Sequence, residues 1–242
     1  MGSRGLSSRT STTPTIEPSP RDESREAYQK FRGAPINGGW EFKGNEWTEQ
    51  WFRDNSDSYD LIDSMSREDR DAFQGWTRGD FMRGQQYGKF SDMSSYDQEK
   101  TRIYDKYLDQ AELKKGIIVY RRASWELINN GSTRALTVEE INARKGELIS
   151  SKGSMSTAAA SSGLNGMGWG KPVEYEIKIP KGKGHGMWVG DSRVNSYWGP
   201  KQREFMTNRN GILSIQGARY DDNKQCIVVT LNWEGHEKHD YS

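Results

Sequence analysis

The chain has 242 residues and one cysteine, and its 35 Lys and Arg nearly balance 34 Asp and Glu, for a formal charge of +1. That length supports a core without disulfides, and the lone Cys226 excludes an internal disulfide framework. The charge balance removes any global attraction to nucleic acid or to an anionic membrane, and no stretch approaches the roughly 18 apolar residues of a membrane span.

In chain order, residues 1–24 are rich in Ser, Thr, Pro and Arg and nearly devoid of apolar side chains. They cannot bury enough surface to offset ordering entropy and read as a disordered tail. Residues 25–59 read as a Trp- and Gly-rich extension or flap carrying Trp40, Phe42, Trp47 and Trp51, ahead of a main domain over residues 60–242. Ser66 with Asp69 opens a helix bearing Phe73 and Trp76 that stops or bends near Gly79. Ser95 followed by Gln98 predicts a capping box for a helix over 96–115, with Ile103, Tyr104, Tyr107, Leu108 and Ala111 as its apolar stripe and Gly116 as its stop. Thr137 and Glu140 cap a third helix, ended by Gly146.

After Gly116 the pattern turns to strands: Ile117 to Tyr120, Val173 to Ile179, Ile212 to Ile215 and Cys226 to Trp233. Helices first and strands afterwards predict an α+β fold, a helical N-terminal part packed on a mixed β-sheet core. No GxGxxG follows a strand, so a Rossmann mode of dinucleotide binding has no support. Cys226 reads as a buried strand residue. His185, His236 and His239 have no Cys or Asp cluster beside them in sequence, and no metal site is expected. The N-terminus shows no apolar signal core, so the expectation is a monomer acting in the cytoplasm of a host or target cell, with no membrane partner.

Three short pieces carry chemistry. Arg121 closes the apolar run Ile117-Ile118-Val119-Tyr120 where a buried strand emerges, a position from which a guanidinium fork can meet phosphate oxygens. Arg122 faces the other way by alternation, and whichever of the two faces the cleft is the binder. Ser156-Thr157 lies in a run of small residues, followed by a loop of Gly163, Gly166, Gly168 and Gly170 that carries Met167 and Trp169 and could fold over a ligand. Gln202 and Glu204, two apart at the start of an apparent strand, share one face. A carboxylate there can stabilise an oxocarbenium-like sugar while the amide orients an incoming nucleophile. Tyr197 and Trp198 form an exposed aromatic turn aimed at a partner, with Arg193, Lys201, Arg203 and Arg209 making that edge basic.

"IIVYRRAS", "KGSMSTA", "VEYEIKIPKG" and "QREFM" together resemble, in order and spacing, the strand motifs of NAD-dependent mono-ADP-ribosyltransferases of the toxin-like Arg, Ser-Thr-Ser, Glu branch. The resemblance implies an ADP-ribosyltransferase core with NAD as co-substrate. Arg121 (or Arg122) and Thr157 would bind NAD, Ser156 would orient the glutamate, and Glu204 would hold the nicotinamide ribose and stabilise the cation. Gln202 would select the acceptor. The third position of Ser-Thr-Ser is Ala158, so one hydroxyl of the family pattern is missing. The Gln two before the glutamate resembles Rho-modifying exoenzymes and guanine-modifying enzymes, and not the arginine-specific ones. An uncharged nitrogen acceptor is therefore expected, a protein Asn or Gln ahead of a guanine, with Tyr197 and Trp198 in its recognition. An NAD glycohydrolase toxin and a non-catalytic virion or binding module are the rival readings.

Overall fold

The computed structural model describes residues 45–77, 90–160, 164, 171–195 and 203–242, with side chains from Thr48 onward. Helices α1 (Asn45–Asn55), α2 (Ser58–Ser64), α3 (Arg67–Thr77) and α4 (Ser95–Leu108) come first, with a 3₁₀ turn at Phe90–Asp92. Strands β1 (Glu112–Leu113) and β2 (Ile117–Ala123), helix α5 (Val138–Asn142), then β3 (Leu148–Ser151), β4 (Ser156–Ala158), β5 (Val173–Ile179), β6 (Gly182–Lys183), β7 (Gly186–Trp188), β8 (Glu204–Thr207), β9 (Gly211–Asp221) and β10 (Cys226–His236) follow. The main sheet runs β3-β9-β10-β5-β2-β4-β8-β7, and β1 pairs with β6 apart from it. The β5–β10 pair is parallel and its other pairs are antiparallel, so the expected α+β layout with a mixed sheet holds.

Residues 45–59, grouped by sequence with a flap, are helical and part of the core. Phe52 stacks on Trp188 of β7 at 4.6 Å and lies 5.8 Å from Phe205 of β8, contacts of a kind worth about 0.5–1.5 kcal/mol each beyond burial. The Ser58 hydroxyl accepts from Trp188 N at 2.9 Å, which ties α2 to the outer strand. The tail and the rest of the flap lie outside the described residues.

Ser66 Oγ accepts from Asp69 N as expected of a cap, and α3 presents Phe73 and Trp76 to Tyr104 and Tyr107 of α4. Tyr104 Oη donates to Ala72 O at 2.8 Å and locks the pair. The predicted stop near Gly79 lies outside the described residues. Helix α4 departs from expectation at both ends. Its cap is Ser94, which accepts from Asp97 N, one residue earlier than read. It ends at Leu108 because the next backbone is taken elsewhere: Ala111 O accepts from Gly184 N, and Glu112 and Leu113 pair with β6. Tertiary pairing overrides the helical stripe there, and Leu113 joins the main core. The capping box of Thr137 and Glu140 is present, and Gly146 follows α5 with φ +87, a left-handed turn suited to glycine.

Candidate active site

Strands β2, β4 and β8 lie side by side, so Arg121, Ser156 and Glu204 come from three neighbouring strands. The β4–β8 register sets Ala158 opposite Glu204 and Ser156 opposite Met206, which leaves Ser156 and Glu204 diagonal on one face. Ser156 Oγ donates to Glu204 Oε1 at 2.5 Å. Two further donors were missed in the sequence. The Trp76 indole donates to Oε1 at 3.2 Å, and Asn195 Nδ2 donates to Oε2 at 3.2 Å.

Each donor is placed by its own element. Trp76 rides on α3, fixed by its packing on α4. Asn195 closes a turn in which its N donates to Asp191 O at 2.9 Å, while Arg193 N and Nε both bond Asp191 Oδ1. Gln74 Nε2 donates to Arg193 O and joins this turn to α3. Trp76 reads as core by its spacing, and Asn195 is an ordinary loop polar residue, so neither carries a motif.

Glu204 is only 2% exposed. Burial raises its pKa above the ordinary carboxylate value; the Ser156 and Trp76 hydrogen bonds, the Arg121 charge and the Asn195 amide pull the other way and favour the ionised form. A buried carboxylate with three donors and a nearby cation is a prearranged anion, suited to stabilising positive charge that develops beside it.

Arg121 Nη1 donates to Ser156 O at 2.6 Å. It also lines an open cleft of about 380 Å³ with Ser124, Glu126, Asn130, Lys152 and Met155. Glu204 does not line this cleft; Arg121 and the β4 backbone connect the two. Arg122, the other candidate binder, lies on the opposite face of β2, where its Nε meets Glu174 Oε2 at 3.3 Å. Strand alternation thus puts Arg121, and not Arg122, on the face with the cleft. Thr157 is fully buried and its hydroxyl donates to Phe205 O at 2.6 Å, so its donor braces β4 against β8 and does not reach toward a ligand.

Gln202, Tyr197 and Trp198, and the Gly163–Gly170 loop apart from Leu164, lie outside the described residues. One expectation attached to this edge needs correction. Of the basic edge, Arg193 pairs with Asp191 and Asp63 and Arg209 pairs with Asp105, while Lys201 lies outside the described residues. Arg203 is 9% exposed.

Comparison with known proteins bears on this geometry. The model of the ADP-ribosyltransferase exoenzyme family matches residues 45–233. No curated protein matches the chain. Among solved structures, Plx2a, an ADP-ribosyltransferase toxin from Paenibacillus larvae, is 19% identical with a TM-score of 0.63, covering 78% of this chain and 96% of that one. C3stau2 from S. aureus, solved with NAD, is 18% identical with a TM-score of 0.62, covering 81% and 98%. BECa, an ADP-ribosylating toxin of a C. perfringens binary enterotoxin solved with NADH, is 16% identical with a TM-score of 0.61, covering 77% of this chain and 47% of its own. At such identities these structures share the fold, while the family match spans most of the chain from α1 into β10. The chain belongs to the ADP-ribosyltransferase exoenzyme family and is an NAD-dependent ADP-ribosyltransferase.

Proposed function

We propose that the protein moves ADP-ribose from NAD to an uncharged nitrogen acceptor, a protein asparagine or glutamine side chain, with release of nicotinamide. The observation that carries the chemistry is the Glu204 carboxylate held by Ser156, Trp76 and Asn195. C3stau2 was solved with NAD and BECa with NADH, which supports a dinucleotide in the corresponding part of this fold.

In this reading Arg121 and the adjoining cleft take the pyrophosphate, and Glu204 takes the 2'-hydroxyl of the nicotinamide ribose. The bond from the ribose anomeric carbon to the pyridinium nitrogen breaks, and its electron pair leaves with nicotinamide, now neutral. No acid is required for a leaving group that departs as a neutral base. The oxocarbenium-like sugar is stabilised by the Glu204 carboxylate. The acceptor amide nitrogen then bonds to that carbon and loses its proton. Gln202 orients the acceptor, with Tyr197 and Trp198 on its approach.

Protein is favoured over guanine because Arg193 and Arg209 are already paired with carboxylates, which weakens the case for a nucleic-acid-binding edge. The test is incubation with labelled NAD and a whole-cell lysate, digestion with protease or nuclease, and mass spectrometry of the labelled product. Label on protein Asn or Gln is expected. Label on arginine would overturn the role of Gln202, label on a nucleobase would replace the acceptor class, and label only in free ADP-ribose would make the protein a glycohydrolase.

A further inference from the structure

We propose a second site, a zinc site formed by Asp109, His236 and His239 where the C-terminal segment meets helix α4. These histidines have no ligand set beside them in sequence because the carboxylate comes from the end of a distant helix. In the fold, one ligand atom from each of the three lies within 4.8 Å of the others. Asp109 Oδ1 is 3.3 Å from His236 Nε2 and 3.0 Å from His239 Nε2. With bonds of roughly 2.0–2.1 Å to imidazole and carboxylate, the edge of a tetrahedral zinc site is about 3.3 Å, so the two edges from Asp109 already suit it and the third, within 4.8 Å, needs at most a small closure of the two rings. The cluster is reached by solvent, since Asp109 is 43% exposed at its side chain and His236 24%.

The surroundings hold the ligands in place. Asn208 Nδ2 donates to Asp109 Oδ1 at 2.9 Å and to Gly184 O at 2.8 Å and lies 3.3 Å from His236 Nε2, so it holds carboxylate and imidazole side by side and would turn from the imidazole nitrogen when an ion binds. Gly184 has φ +72, and a Cβ there would sit 2.7 Å from His236 Cε1, so only glycine admits the ring at this position. The rings of His236 and His239 stack, with centroids 5.5 Å apart. Neighbouring Asp105 is already engaged by Arg209 and Tyr241 and is not needed as a ligand.

Two imidazole nitrogens and one carboxylate oxygen select zinc or a similar first-row ion over magnesium or calcium, which prefer all-oxygen shells. Bound there, the ion would pin the end of β10 to α4 and, through Asn208, to the segment leaving β8 four residues after Glu204.

The full chain is stripped with EDTA, dialysed and titrated with zinc chloride alone by calorimetry, and bound zinc is counted by elemental analysis after gel filtration. One zinc per chain is expected, with no comparable heat from magnesium, and a melting temperature that rises with zinc. His239→Ala and the isosteric Asp109→Asn should each weaken binding by at least about tenfold, while His185→Ala leaves it unchanged. Melting each variant in EDTA shows that it folds, and His236→Gln replaces any that does not. Failure of the parent protein to retain zinc, or unchanged affinity in the Asp109 and His239 variants, would overturn the proposal.

Discussion

Removing the hydroxyl of Ser156 tests how Glu204 is made effective. Its Oγ donates to Glu204 Oε1 at 2.5 Å in a site where the carboxylate is 2% exposed. A hydrogen bond to a charged group contributes about 1.5–3 kcal/mol, which at about 1.36 kcal/mol per tenfold corresponds to a ten- to hundredfold loss in kcat for Ser156→Ala. The Trp76 indole still donates to the same oxygen, which puts the loss nearer the lower figure. The hydrogen bond also favours the ionised carboxylate, against burial that raises its pKa. Its removal should therefore move the acidic limb of the kcat/KM profile to higher pH, an effect that a purely structural serine would not produce. Nicotinamide release measured across pH, with NAD affinity measured separately, gives both quantities. A rate within twofold of the parent protein, with the limb unmoved, would refute this role.

Trp76→Phe keeps the aromatic packing on Tyr104 and removes only the indole donor, so a smaller loss and a limb shift of the same sign are expected in the same assay. For Glu204→Gln the sign of the stability effect follows from burial. A carboxyl whose folded pKa is raised binds its proton more tightly when folded, so stability falls as pH rises from about 4.3, the unfolded value, through the folded one. Glu204→Gln should thus melt above the parent protein at neutral pH and lose that advantage in acid, which calorimetry at several pH values would show. Arg121→Ala should chiefly raise the apparent NAD constant, since a contact remote from the reacting carbon acts alike before and at the transition state, with partial rescue by Arg121→Lys. Arg122→Ala should leave that constant unchanged in the same steady-state kinetics, and the reverse pattern would exchange their roles. Gln202→Ala should depress transfer to the acceptor while sparing NAD hydrolysis, as read by labelled product and free ADP-ribose from one reaction.

The strands and the carboxylate with its serine were legible because strand alternation and motif order are local properties that survive folding. Val173–Ile179 is read to the residue, and Ser156 finds Glu204 through a register that only adjacent strands allow. Helix α4 was overread because its apolar stripe continues to Ala111, while long-range pairing with β6 decides where the helix stops. Trp76 was invisible as a site residue because Glu204 lies 128 positions away and an indole in a helical stripe looks like core, and Asn195 because a loop asparagine nine residues before the strand carries no motif. Alternation separates the faces of Arg121 and Arg122, but which face carries Glu174 depends on the pairing of β2 with β5. Thr157 was grouped with the NAD binders by motif alone, whereas the register commits its hydroxyl to Phe205 O.

Cleavage of NAD driven by the buried Glu204 carboxylate is tested most directly by nicotinamide release from the purified chain and from Glu204→Gln, with NAD alone and with lysate supplying acceptor. The parent protein should release nicotinamide slowly with water and faster with acceptor. Glu204→Gln should fall by about two orders of magnitude or more, the scale of losing a contribution near 3 kcal/mol, while binding NAD within about tenfold of the parent protein by calorimetry. Equal release by both proteins would contradict the claim, as would a parent protein that binds no NAD.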